Sequence, residues 1–118
     1  MQLGNWIRQT TTTTGTGALT LSSVAGWATF DSQFSTGADG AGDYFYYTIL
    51  NDSDGSPIEA GIGRMSDSST MQRVHVLATF SSGVYAEANS AVNLPAGTKR
   101  VICSDLAGVR PVNLPGML

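Results

Sequence analysis

DYFYYTILNDSDGSPIEAGIGRM, Asp43 to Met65, holds two runs rich in β-branched and aromatic residues on either side of a turn. In the first run Phe45, Tyr47 and Ile49 fall on one side of an extended chain and Tyr44, Tyr46 and Leu50 on the other. Neither face is simply polar, so this strand is expected to be covered on both sides, once by the rest of the domain and once by a loop or a neighbouring subunit. Between the runs, NDSDGSP supplies Asp-Gly and Pro, the residues of a turn joining antiparallel strands. In the second run Ile58, Ala60 and Ile62 alternate with Glu59, Gly61 and Gly63. That alternation predicts an apolar inner face and a thin polar outer one, where the glycines admit another backbone or a bulky ring.

Outward from this hairpin the pattern repeats. Helical periodicity is almost absent, and short β-prone runs recur between clusters of Gly, Asp, Asn, Ser and Pro. The predicted strands are Trp6 to Thr13, Gly17 to Leu21, Asp43 to Leu50, Ile58 to Met65, Met71 to Phe80 and Arg100 to Ser104. In RVHVLATF, strict alternation places Val74, Val76, Ala78 and Phe80 in the core and His75, Leu77 and Thr79 outside. The five threonines Thr10 to Thr14 are stiff at χ1 and read as a strand polar on both faces, at a sheet edge, with Gly15-Thr16-Gly17 as a hairpin turn. Residues 22–39 hold either a helical turn or an irregular strand around Trp27 and Phe30. The expected fold is all-β, a single-domain antiparallel β-sandwich or small barrel, jelly-roll-like, over residues 1–105, with an extended C-terminal tail over 106–118.

Composition limits the function. The chain has 118 residues, 42% of them hydrophobic and only 13% charged, with a net charge of −3. Neither the low hydrophobicity nor the high charge of a disordered chain is present. Six scattered basic residues offer no footprint for a phosphate backbone, so nucleic acid is not expected as a partner. There is no apolar run of bilayer length and no signal-peptide plan at the N-terminus, which predicts a protein made in the cytoplasm with no membrane partner.

Chemical motifs are thin. A phosphate loop needs Lys and Ser or Thr after its last glycine, and Ala18, Leu19 and Thr20 follow instead. Asp52, Asp54 and Gly55 imitate the start of a calcium loop, but its first and twelfth ligands would fall on Leu50 and Gly61. His75 is the only histidine and Cys103 the only cysteine, which leaves no triad partner set and no zinc cluster. Cys103 sits in an apolar alternation and reads as a small hydrophobe. Asp31, Asp39, Asp43, Glu59 and Glu87 permit a carboxylate pair only formally, the aspartates standing in turn contexts. No catalytic, cofactor-binding or metal-binding residue is assigned, and the protein is expected not to be an enzyme.

The order of segments resembles a known module. RQTTTTTGTGALTL, GWATF, DYFYYTILNDSDGSPIEAGIGRM, STMQRVHVLATFSSG and LPAGTKRVICSD follow one another as in a small β module of tailed-bacteriophage virion proteins. The likeness runs from about Trp6 to Asp105, with Ile58 where the pattern often carries a Trp. It implies a virion structural protein, most simply a capsid decoration or cement protein bound to the major capsid protein. A tail adaptor or tail-fibre base protein is the close alternative and a carbohydrate-binding module the distant one. It also implies a homo-oligomer, a trimer by likeness. The expected contact residues are Thr10, Thr11, Thr12, Thr13 and Thr14, the pair Tyr44 and Tyr46, and Pro111, Leu114 and Leu118 in the tail.

Overall fold

The computed structural model describes residues 4–37, 42–81, 83–87 and 90–103. Along the chain the elements are β1 (Arg8–Thr11), β2 (Leu19–Thr20), β3 (Ser22–Ser23), α1 (Phe30–Gln33), β4 (Phe45–Asn51), β5 (Pro57–Met65), β6 (Thr70–Ser81), β7 (Val84–Glu87) and β8 (Lys99–Cys103). All the strands belong to one antiparallel sheet in the order β2-β6-β5-β4-β8-β1-β3, with β7 added to β6. Its two ends, β2 and β3, are separated only by Leu21. One extended segment thus bonds β6 with its first half and β1 with its second, and the sheet is nearly closed into a barrel. Of the all-β forms expected, the barrel is the one this topology describes.

The central hairpin forms where the sequence puts it. Asn51 N–H donates to Ser56 O at 2.8 Å, and Gly55 takes the left-handed turn position at φ 74°. The Asp54 carboxylate accepts from Ser56 N and Oγ at 2.9 and 2.8 Å, which closes the turn and holds its pKa below the ordinary value. Phe45, Tyr47 and Ile49 are fully buried, and Tyr44, Tyr46 and Leu50 lie half-buried on the outer wall.

On β5 the expected faces are reversed. Leu50 pairs with Pro57 and Ile49 with Glu59, so Ile58 is an extra residue that turns the rest of the strand over. Ile58 is in the core as expected, but Glu59, Gly61, Gly63 and Met65 point inward, while Ala60 and Ile62 face out. The glycines do make room for bulky rings, on the inner side. A Cβ on Gly63 would stand 3.2 Å from both Phe45 Cε1 and Tyr47 Cδ2; one on Gly61 would stand 2.9 Å from Tyr47 Oη and press on the His75 carbonyl. On β6 two further register shifts make Val74 and Leu77 the extra residues. Val76 is buried and His75 exposed, as expected, but Val74 is exposed, and Ala78, paired with Ala60, faces outward. Bulges of this kind sharpen strand twist and let one sheet curl onto itself.

The threonine run is also placed differently. β1 lies between β8 and β3 and is not an edge, and only Thr10 and Thr11 of the five belong to it. Thr11 is buried and donates to Thr20 O at 2.8 Å, while Thr13 Oγ1 accepts from Thr20 N at 3.0 Å. Side-chain hydroxyls therefore replace a main-chain ladder beyond the end of β1. Gly15-Thr16-Gly17 is not a tight hairpin turn, because Gly15 exchanges two hydrogen bonds with Leu94.

Within 22–39 the chain makes both β3 and the short α1. Thr29 caps α1 by accepting from Ser32 N, and Gln9 Oε1 accepts from Phe30 N at 2.9 Å. Phe30 and Phe34 then pack on Phe45, each with ring centroids 4.6 Å away.

Candidate functional site

The barrel interior contains an ionised cluster. Glu59 accepts from Arg73 through both oxygens, at 2.9 Å from Nε and 2.5 Å from Nη2, with side-chain exposures of 0% and 2%. Tyr47 Oη donates to the same carboxylate at 2.6 Å, and Val92 N–H at 2.8 Å. Arg73 reaches onward to the carbonyls of Val92, Gly15 and Gly17. Burial, then the adjacent carboxylate, push the Tyr47 phenol well above its ordinary range. Every partner in this cluster is another part of the barrel wall, so it ties the 15–17 and 92–94 segments to β5 and β6. Burial likewise lowers the Lys99 amine, which donates to Pro95 O at 2.5 Å.

The outer wall is where chemistry faces solvent. Outward residues of β1, β8 and β4 stand in cross-strand rows, Arg8 beside Ile102 beside Thr48, and Thr10 beside Arg100 beside Leu50. Asp52, just past β4, accepts from Arg100 Nε at 3.2 Å, and its carbonyl from Arg100 Nη2 at 3.2 Å. Arg8 lies 3.5 Å from the same carboxylate, longer than a charge-assisted hydrogen bond, and its guanidinium sits 5.5 Å from the centre of the Trp27 ring.

Trp6 completes the wall. Its φ is +62°, a left-handed conformation that costs a bulky residue roughly 1–2 kcal/mol. Two hydrogen bonds to Ala28 hold it there, Ala28 N to Trp6 O at 2.9 Å and Arg8 N to Ala28 O at 3.1 Å, and the adjoining Ile7 is anchored in the core. The strained backbone presents an indole that is 79% exposed, across from Trp27 at 41%. Trp6, Arg8, Trp27, Leu50, Arg100 and Ile102 line an open cleft of about 310 Å³.

A second exposed apolar feature lies on the β6–β7 hairpin. Every residue of β7 is exposed, Tyr85 to 62%, and among the described residues β7 pairs only with β6. Beside it Pro57, Ala60, Ala78, Phe80 and Tyr85 line a small apolar groove.

Of the contact residues expected from sequence, Thr10 stands half-buried beside Arg100 on the outer wall, and Thr12 and Thr14 are exposed. Thr11 is turned inward and Thr13 is half-buried in the hydroxyl network. Tyr46 stands on the outer wall in a row with Ile62 and His75. Tyr44, Tyr46 and the threonines are not gathered into one site, and Pro111, Leu114 and Leu118 lie outside the described residues. Sequence reasoning passed over Trp6, Arg8, Trp27 and Arg100. One signal was present, since Trp6 and Arg8 stand two apart on a predicted strand and so share a face. Trp27 joins them through the hydrogen bonds of its neighbour Ala28 to Trp6 and Arg8, and Arg100 through the pairing of β1 with β8.

The fold and this site define an all-β barrel whose polar interior is internally paired and whose outer wall carries an aromatic and arginine cleft. Comparison with family models, curated proteins and solved structures gave no match. Among the described residues no helix is long and apolar enough to cross a membrane, and no three His, Cys, Asp or Glu side chains are gathered as a metal site.

Proposed function

We propose that the chain is a non-enzymatic structural protein of a tailed-phage virion, a decoration protein that binds the assembled shell and holds it together. The order of its segments, like that of the small virion β module, supports the class. The observation that carries a docking role is the exposure of Trp6, Trp27, Val84 and Tyr85 on one small barrel. Large exposed apolar groups in patches are a mark of protein contact surfaces, and Trp, Tyr and Arg dominate the energetics of such contacts.

The mechanism is mass action. A protein that binds only the assembled shell stabilises it by an amount that grows with occupancy. Tyr44 and Tyr46 on the outer wall add aromatic area to the contact. Tyr44→Ala combined with Tyr46→Ala is expected to weaken particle binding by about tenfold or more while the melting transition remains cooperative. The test is to add purified chain to particles stripped of it, then measure co-sedimentation and the temperature at which shells open. Saturable binding with a raised opening temperature is expected. Binding to isolated tails alone would favour the tail-adaptor reading, and no binding to either would overturn both.

A further inference from the structure

We propose that the Trp6–Trp27 cleft is a binding site for an extended acidic peptide segment of a partner protein. A proline or aliphatic residue would lie against the indoles, and a neighbouring Asp or Glu carboxylate would sit on Arg8. The inference rests on reading the chain as a docking module, and it names the chemistry of what docks.

Charge complementarity points to an acid. The whole chain carries −3, yet among the described residues the cleft sets two guanidiniums against one carboxylate, that of Asp52. The Asp52 carboxylate accepts from Arg100 Nε at 3.2 Å, its main-chain carbonyl takes a second Arg100 contact at 3.2 Å, and Arg8 stands farther from the carboxylate, at 3.5 Å. A cation–π contact with Trp27, 5.5 Å from the ring centre, favours the Arg8 guanidinium in that position. A planar, positioned guanidinium with hydrogen-bonding capacity to spare matches a carboxylate.

The rest of the lining favours peptide over saccharide. Leu50 and Ile102 make an aliphatic wall and the two indoles flat apolar ones. Sugar hydroxyls donate as well as accept, whereas among the described residues this lining supplies donors and no side-chain carboxylate or amide acceptor. Proline and aliphatic side chains need no such acceptor, and aromatic-lined grooves take extended proline-bearing segments at a reduced ordering cost. The strained backbone at Trp6 adds weight, because a conformation of that cost persists only where the surroundings enforce it, and such outliers cluster at ligand clamps.

The test selects random twelve-residue peptides by display against the immobilised full chain, with parallel selections on Arg8→Met and Trp6→Gly. Peptides enriched on the parent are expected to carry Asp or Glu within two or three residues of Pro or an aliphatic residue. Their affinity should fall about tenfold or more on either variant. Both variants should keep a cooperative melting transition, because Arg8→Met removes only a long ion pair and one ring contact on the outer wall and glycine relieves the φ at position 6. Selections that yield no acidic preference, or peptides indifferent to both variants, would overturn the proposal. Saturable binding of a polyuronate oligosaccharide, lost in the same variants, would overturn it in favour of a sugar site. Because these readouts need no particle, failure here leaves shell binding standing, and failure of shell binding leaves the peptide site standing.

Discussion

At the residue scale the most consequential choice is Glu59, a carboxylate sealed inside the barrel against Arg73. Breaking such a pair strands a buried charge, so Glu59→Ala should cost about 3–5 kcal/mol in urea unfolding. Tyr47 shares that carboxylate and makes alkaline stability depend on it. Below its ordinary value of 10.0 the phenol is protonated in both folded and unfolded chains and adds no pH dependence. Above it the unfolded chain loses the proton and the folded chain keeps it, so stability falls as pH rises. In Tyr47→Phe the decline above pH 10 should be shallower, at a cost of about 1.5–3 kcal/mol at neutral pH for the lost bond to a charged acceptor. Trp6→Gly should leave stability unchanged or raise it by up to about 1 kcal/mol, because glycine adopts the left-handed conformation freely.

At the scale of elements the glycines of β5 are as constrained as any side chain. Gly61→Ala would drive a methyl against the His75 carbonyl and Tyr47, and should destabilise by about 1–3 kcal/mol or more, read from the thermal transition. The strands around those glycines were legible from their β-branched and aromatic runs, and so was the NDSDGSP turn. What could not be read was which way β5 and β6 face. A period-two pattern holds only while the register is continuous, and the extra residues Ile58, Val74 and Leu77 break it. Glu59 then looks like a surface residue until Arg73, fourteen positions on, is seen to meet it. β7 was missed because Val84 to Glu87 is short and exposed throughout, so no burial pattern marks it. The cleft was hidden for a topological reason: Trp27 and Arg100 lie far apart in the chain, one brought in by the Ala28 hydrogen bonds to Trp6 and Arg8 and the other by the pairing of β8 with β1.

At the scale of the whole molecule, one extended segment brings the two ends of the sheet together and nearly closes the wall. The Leu19–Ser23 segment joins β6 to β1, and the Glu59–Arg73 cluster braces the loops beside that seam. The interior polar groups described above are spent on the barrel itself, which leaves the outer wall to meet other molecules. On the proposed reading, its exposed aromatics and its arginine pair are the contact chemistry, and a virion shell is the surface they would meet. The most direct measurement is the copy number of this chain in purified particles, relative to the major shell protein. A decoration protein predicts a ratio near one or a simple fraction of it, and a handful of copies, or none, would contradict the account.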